Sequence, residues 1–156
     1  MRVPTRTTAL VATVAVQAAL VVVAVAPRLS ARLLGDTYAV RVEPLDPIDP
    51  FRGAYVTLRY TDFRTESVSS GGDGTVYVPL VRDGDLWQAG TVVRQRPTSG
   101  PFVKCRFTGS LHCGIESLFL PQAQAKALER DLSQGGVARL KVDGRGNASV
   151  LDVRAG

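Results

Sequence analysis

Two aspartates and an arginine lie close together in a proline-rich stretch, where they form the clearest candidate for chemistry. Asp46 and Asp49 are three residues apart, and Arg52 follows after three more in DPIDPFRG. Closely spaced carboxylates can bind a metal ion or act as general acid and base. Asp-Pro pairs are also ordinary turn residues, because Asp caps its own backbone and Pro fixes φ. We expect a turn here, and an enzyme that uses this loop is the alternative hypothesis.

Other catalytic and metal-binding signatures are missing from the sequence. The chain has one histidine, His112, next to Cys113. Two cysteines and one histidine do not complete a tetrahedral zinc site. No phosphate-binding loop, zinc-protease helix or calcium-loop spacing occurs. A serine–lysine protease would need a nucleophilic serine beside Lys104, Lys126 or Lys141, and no serine has that context. We expect no metal or other cofactor, and the residues favour a protein that is not an enzyme.

The two cysteines are spaced for a disulfide across a hairpin. Residues 108–110, TGS, predict a three-residue turn, which pairs Phe107 with Leu111 and sets Cys105 opposite Cys113. Residues directly opposed in an antiparallel pair have Cα atoms about 4.5–5.5 Å apart, within disulfide range. A disulfide closing so short a loop contributes about 2–3 kcal/mol in the chain-entropy model. The alternative is a pair of small buried thiols.

The N-terminal segment is apolar enough to cross a membrane. Residues 9–26 carry no charge, and a helix of that length spans about 27 Å, close to the thickness of the hydrocarbon core. We expect an uncleaved transmembrane anchor. A cleaved signal peptide is the alternative, since residues 24–26, AVA, resemble a cleavage site, although Pro27 disfavours cleavage there.

The orientation of this anchor follows from the cysteines rather than from charge. Arg2 and Arg6 precede the apolar segment, and Arg28 and Arg32 follow it, so the charge bias that sets topology is nearly balanced. A disulfide needs an oxidising compartment, which predicts a cell-membrane protein whose C-terminal part is extracytoplasmic. We expect a tail at 1–8, the anchor at 9–26, a connector at 27–36 and a β-rich domain at 37–156.

Alternating apolar residues predict strands at the start of that domain. Tyr38, Val40 and Val42 alternate with Ala39, Arg41 and Glu43, which is typical of a half-buried strand. We expect Pro44 and the prolines after it to end this strand. A second strand is predicted over 55–61, with Val56, Leu58 and Tyr60 on its core face, and a polar, glycine-rich loop follows it.

The later part predicts three hairpins and one helix. Asp83-Gly84 lies between apolar runs, a strong hairpin signal, and Trp87 beside it is expected in the core. The cysteine hairpin comes next. Residues 121–136 predict a helix that starts at Pro121, and a last hairpin is predicted to turn over 144–147. The expected fold class is mainly β (α+β): an N-terminal transmembrane helix and a small antiparallel β domain with one helix.

The charge of the chain favours no nucleic-acid partner. The net charge is +5, carried mostly by arginines spread singly along the chain. A nucleic-acid binder usually clusters its basic residues. We interpret these arginines as a solvated surface.

Two adjoining blocks of the sequence are VEPLDPIDPFRG and, at residues 53–60, GAYVTLRY. The second block resembles the motif of a bacterial family named GDYXXLXY for that motif, and the first resembles the segment before it. YVPL, GIESLFLPQAQAKALE and VDGRGNASV are similar to later blocks, in the same order. The resemblance implies a membrane-anchored bacterial domain, with a multi-pass membrane protein as its expected partner.

The resemblance also assigns site residues, with one departure. Ala54 stands where the family has aspartate. If that carboxylate were essential to a reaction, this chain would be inactive; if it only caps a turn, its loss costs about 1 kcal/mol. We expect Tyr55, Thr57 and Arg59 to share an exposed face that binds a partner, with a purely structural strand as the alternative. The residues of the motif and of this surface are Asp46, Asp49, Arg52, Gly53, Tyr55, Thr57, Leu58, Arg59 and Tyr60.

The function expected from these observations is a non-enzymatic binding module for another envelope protein, anchored in the bilayer by its N-terminal helix. The alternatives are an enzyme that uses Asp46, Asp49 and Arg52, and a protein that binds a lipid or cell-wall ligand. An enzyme would require a carboxylate cluster around one pocket, and a ligand binder would require a deep cleft.

Overall fold

A long N-terminal helix precedes a curled sheet of nine strands among the described residues. The structure, a computed structural model, describes residues 6–46, 55–63, 72–121, 124, 128, 131–132 and 135–155. The elements are α1 (Arg6–Leu34), β1 (Asp36–Asp46), β2 (Tyr55–Arg59), β3 (Gly74–Asp83), β4 (Leu86–Ala89), β5 (Phe102–Phe107), β6 (Leu111–His112), β7 (Ser117–Phe119), β8 (Gly136–Val142) and β9 (Ala148–Ala155). The chain is therefore mainly β, with one long helix at its start.

Helix α1 is 29 residues long and exposes its apolar side chains. It continues through Pro27, and the predicted connector is helical as far as Leu34. Within the described part of the chain it is the one helix long and apolar enough to cross a membrane, a property that a signal sequence shares. Exposed side chains such as Leu20 and Val23 would be better accommodated in lipid than in water.

Strand β1 organises the sheet because three other strands pair with it. Its first half, from Asp36 to Val42, is antiparallel to β8, and its second half is antiparallel to β2. Val40 also forms a parallel pair with Trp87 of β4. The order along the sheet is β6-β5-β3-β4-β1-β2-β7, and β8 links β1 to β9. The sheet is thus antiparallel apart from the contact between β1 and β4.

Alternate side chains of these strands form one core. Strand β8 buries every second residue, and β3 and β5 do the same where they pair. Trp87 packs at the core's margin, where its ring meets Tyr38 edge-on at a centroid distance of 5.0 Å. The most deeply buried large side chains are Ile115, Leu132, Leu140, Val42, Val76, Val78, Val92 and Val103.

The predicted hairpins are confirmed. Strands β3 and β4 meet across Gly84 and Asp85, with φ of +61° at Gly84, and β8 and β9 flank residues 143–147. Strands β5 and β6 pair Phe107 with Leu111, as the turn at 108–110 requires. These turns follow from local chemistry, since glycine takes a positive φ without steric cost.

The cysteines form the predicted disulfide. Cys105 and Cys113 are bonded, with their Cα atoms 4.1 Å apart. Cys105 is buried against the core, whereas His112 is exposed on the other side of the hairpin, where its Nε2 lies 2.8 Å from Ser110 Oγ. The bond therefore ties the short strand β6 to the core strand β5.

The prediction that Pro44 ends the first strand was wrong. Strand β1 continues to Asp46, and Pro44 pairs with Leu58 of β2. The register shifts between Pro44 and Asp46, which marks a bulge. A bulge tolerates proline, because the backbone N–H that proline lacks is not needed for the ladder there.

Strand β7, Ser117–Phe119, was not predicted, since three residues are too few for alternation to be recognised. Within the predicted helix, Gln124, Leu128 and Asp131 are helical, and Leu132 is fully buried. The other residues between 122 and 134 lie outside the described residues.

The end of α1 is bonded to the turn between β8 and β9. Ser30 Oγ donates to Asp143 Oδ2 at 2.7 Å, and Arg32 Nε donates to Ser149 Oγ at 3.1 Å. Ala31 between them is fully buried. The helix ends at Leu34, and the N–H of Gly35 directly after it donates to the Ala31 carbonyl at 3.0 Å. The last turn of α1 is thus a packed part of the domain rather than a free linker.

Asp143 is the polar centre of this junction, and it is only 7% exposed. Its Oδ1 accepts bonds from the backbone N–H groups of Arg145 and Asn147, and its Oδ2 accepts from Ser30 Oγ and Asn147 Nδ2. Burial alone would raise the pKa of Asp143, but these four hydrogen bonds together lower the pKa below its ordinary value of 3.8. The ionised carboxylate therefore holds both the turn and the helix.

Candidate functional site

Strand β2 carries the second half of the motif, and it has one buried face and one exposed face. Leu58 and Tyr60 are 2% and 8% exposed and belong to the core, as predicted. Thr57 is half-buried and Arg59 is exposed. This alternation follows from the period of two along a strand.

Tyr60 is fixed by its hydroxyl as well as by its ring. The Tyr60 hydroxyl donates to the Ile115 carbonyl at 2.7 Å, and its ring lies 5.1 Å from that of Phe63. Burial, and then the negative charge of Glu116, raise the pKa of Tyr60 well above its ordinary value. A phenol in this state donates a hydrogen bond and does not ionise, so Tyr60 serves as a structural tie.

We expect Tyr60→Phe to lower the free energy of unfolding by about 1–2 kcal/mol, because the Ile115 carbonyl would lose its donor in the interior. Chemical unfolding of the two proteins in the same detergent measures this difference. Tyr77→Phe is the matched control, since the Tyr77 ring packs on Phe102 but its hydroxyl has no hydrogen bond to the described residues. Equal losses in both variants would contradict the role of the Tyr60 hydroxyl.

Of the remaining predicted site residues, the structure describes the backbones of Asp46 and Tyr55. Asp49, Arg52 and Gly53 lie outside the described residues, as does Ala54. The backbone of Asp46 ends β1 opposite Thr57, and that of Tyr55 begins β2 opposite Phe119. The structure thus brings Asp46 to the start of the motif strand, and the enzyme hypothesis for this loop stays untested.

The backbone of β2 is occupied on both sides. It pairs with β1 along one edge and with β7 along the other, and Leu58 N donates to the Glu116 carbonyl at 2.8 Å. A partner therefore has no open edge of β2 to pair with. What β2 offers is the side-chain face that includes Thr57 and Arg59.

The segment from Cys113 to Leu118, called here the 113–118 loop, connects the disulfide hairpin to the motif strand. Cys113 is held by its disulfide, and its N–H donates to Glu116 Oε1 in a short hydrogen bond. Ile115 is fully buried and accepts from Tyr60, while Ser117 pairs with Thr57. The loop is fixed from both ends, so its exposed side chains have defined positions.

A cleft of about 520 Å³ lies between this loop and the end of α1. Its walls combine apolar and charged groups from three parts of the chain. The helix contributes Val25, Arg28, Leu29 and Arg32, the 113–118 loop contributes Gly114, Glu116, Ser117 and Leu118, and β9 contributes Ala148, Ser149 and Val150. It is larger than a second pocket of about 170 Å³ beside Tyr60 and Phe63.

In the part of the chain that the structure describes, no group of three or more His, Cys, Asp or Glu residues is placed to hold a metal ion. The carboxylate in the large cleft, Glu116, is accompanied by the two arginines of α1. The cleft therefore combines two arginines, one carboxylate and an apolar wall.

Comparison with known families identifies a family whose model matches the chain. The family model described as GDYXXLXY protein matches residues 17–153, which is most of the sequence. The chain belongs to the GDYXXLXY family. The searches of curated proteins and of solved structures found no match. The match begins inside α1 and ends in β9, so it covers the greater part of the helix together with the sheet.

The large cleft of this GDYXXLXY protein was not predicted from the sequence. Arg28 and Arg32 were considered only as flanking charges, although their spacing of four places them on one helix face. That spacing, directly after an apolar segment, was the available signal. Glu116 had no such signal, because its place beside α1 depends on the pairing of β7 with β2.

Proposed function

We propose that this GDYXXLXY protein is a membrane-anchored, extracytoplasmic, non-enzymatic module that binds another envelope protein. In this proposal residues 9–26 form the anchor and residues 37–156 the domain, and the partner is a multi-pass membrane protein. The observation that carries the proposal is the division of β2. Leu58, and Tyr60 directly after the strand, are buried in the core, while half-buried Thr57 and exposed Arg59 lie on the other face.

The state of Tyr60 supports binding rather than catalysis. Its pKa is raised by burial, so the hydroxyl keeps its proton, and it donates that proton in a hydrogen bond to the Ile115 carbonyl. The strand is also rigid, since it is bonded on both edges. Preorganised surfaces bind with a smaller entropic cost than mobile ones.

A photoreactive benzophenone residue at position 57 tests the partner. In native membranes we expect one protein adduct, which mass spectrometry would identify. The control places the same residue at Val81, which is 49% exposed on β3 and outside the proposed surface. The proposal is wrong if folded, membrane-inserted protein gives no adduct from position 57, or gives the same adducts from both positions.

Thiol labelling tests the compartment. We expect the native chain to react with no maleimide until it is reduced, because Cys105 and Cys113 are bonded. The variant Cys105→Ser leaves Cys113, which is half-buried and thus more accessible than Cys105. A membrane-impermeant maleimide should label that variant in intact spheroplasts. Labelling only after lysis would place the domain in the cytoplasm.

A further inference from the structure

We infer that the cleft between α1 and the 113–118 loop binds the phosphate headgroup of an anionic phospholipid from the membrane that α1 crosses. This inference rests on the proposed membrane anchoring of α1. It adds a ligand site at the base of the domain, apart from the partner surface on β2.

The helix side of the cleft is one continuous face. Val25, Arg28, Leu29 and Arg32 line it, and their spacing of three, four and seven residues places them on the same side of a helix. Apolar and cationic side chains alternate along this face. A phospholipid has the matching arrangement, with a charged phosphate next to an apolar chain.

The arginines have guanidinium groups available for an anion. Arg28 is exposed and has no hydrogen bond or ion pair with the described residues. Arg32 uses Nε to bond Ser149 Oγ, and it has no further hydrogen bond or ion pair with the described residues. Arginine suits phosphate because its planar fork can donate two parallel hydrogen bonds.

The carboxylate of Glu116 does not cancel these charges. One of its oxygens accepts from Cys113 N, and two guanidinium groups line the same cleft. The local balance is one positive charge in excess. An anion is therefore favoured over a zwitterion, whose own cation would compete with the arginines.

The position of the cleft relative to the bilayer favours a lipid over a free phosphate. The charge-free segment ends at Ala26, so Arg28 lies about 3 Å and Arg32 about 9 Å further along the helix axis. The headgroup region of a bilayer occupies roughly this range beyond the hydrocarbon. Leu118 and Val150 on the domain side add apolar wall that a free phosphate would not contact.

Native mass spectrometry of the detergent-solubilised full chain, with equal amounts of phosphatidylglycerol and phosphatidylcholine, tests the inference. We expect the wild type to retain phosphatidylglycerol with about tenfold preference over phosphatidylcholine. Arg28→Gln should remove most of that preference. Because the Arg28 side chain makes no bond to the described part of the domain, this variant should fold normally. Arg28→Gln combined with Arg32→Gln should abolish the preference.

Arg6→Gln is the matched control, since Arg6 is exposed at the opposite end of the same helix. The inference is overturned if Arg6→Gln and Arg28→Gln reduce retention equally, or if the wild type shows no preference. It is also overturned if glycerol phosphate displaces the lipid, which would make the ligand a small phosphate. Release of the full chain from membranes by carbonate would instead contradict the anchor itself, so the two failures are distinguishable.

Discussion

Gly35→Ala should lower the free energy of unfolding by about 3 kcal/mol, near the upper end of the usual cost of overpacking. A Cβ at position 35 would clash with the Ala31 carbonyl oxygen and lie within 2.9 Å of two backbone atoms of Val142. These are main-chain atoms of α1 and β8, so no side chain can rotate away. The helix would have to separate from the sheet, with loss of its bonds to Asp143 and Ser149.

Thermal unfolding in detergent, followed through Trp87 fluorescence, measures this effect. Gly144→Ala is the matched control, because Gly144 lies in the neighbouring turn and a Cβ there meets nothing within 4 Å. We expect that variant to stay within about 0.5 kcal/mol of the wild type. Similar losses at both positions would mean that the close approach of Gly35 to Val142 is not what limits the junction.

Asp143→Ala should cost about 3 kcal/mol. The substitution removes four hydrogen bonds to an ionised, 7% exposed carboxylate, three within the β8–β9 turn and one to Ser30 of α1. Hydrogen bonds to charged groups contribute about 1.5–3 kcal/mol each, and water entering the site would restore part of the loss. Urea unfolding at pH 7 measures the difference.

The same substitution predicts a pH dependence with a definite sign. The pKa of Asp143 is lowered in the folded protein, so its stabilising effect is complete above the ordinary value of 3.8. That effect is lost as the pH falls through the lower folded-state pKa. The stabilities of the wild type and Asp143→Ala should therefore converge in acid.

Asp152→Ala serves as the control for Asp143. The pKa of Asp152 is lowered as well, by its bond to Arg139, but the two side chains are 34% and 42% exposed. An exposed ion pair contributes about 0.2–1 kcal/mol. If Asp152→Ala lowered the free energy of unfolding as much as Asp143→Ala, the result would contradict a larger contribution from the buried hydrogen bonds of Asp143.

The parts of the fold that could be predicted from the sequence are those set by neighbouring residues. The turn at 108–110 determines the pairing of Phe107 with Leu111, and the disulfide follows from it. Asp83-Gly84 specifies its own hairpin in the same way. In each case a few residues of turn chemistry determine the register of two strands.

The parts that could not be predicted depend on distant pairing. Pro44 was expected to end β1, yet the bulge that accommodates it exists only because β2 pairs alongside. Asp143 directly precedes the turn predicted over 144–147, but its bond to Ser30 spans 113 residues of chain. Local patterns carry no information on such contacts.

The candidate site shows the same difference between features set by neighbouring residues and features set by distant contacts. Alternation along β2 was enough to predict that Leu58 and Tyr60 are buried and that Arg59 is exposed. The cleft beside Arg28 and Arg32 was not predicted, because its opposite wall comes from β9 and from the 113–118 loop. Only the folded sheet brings these three segments together.

The hydrogen bonds at the end of α1 also restrict the positions that the domain can take relative to the helix. If α1 spans a bilayer, a domain on a slack tether would sweep a broad volume above the surface and meet partners from many directions. Here Ser30, Arg32 and the close contact at Gly35 fix the sheet to its helix. The exposed face of β2 would then stay at one height and turn only about the helix axis, so an encounter would occur by lateral diffusion with a partner whose surface lies at that same height.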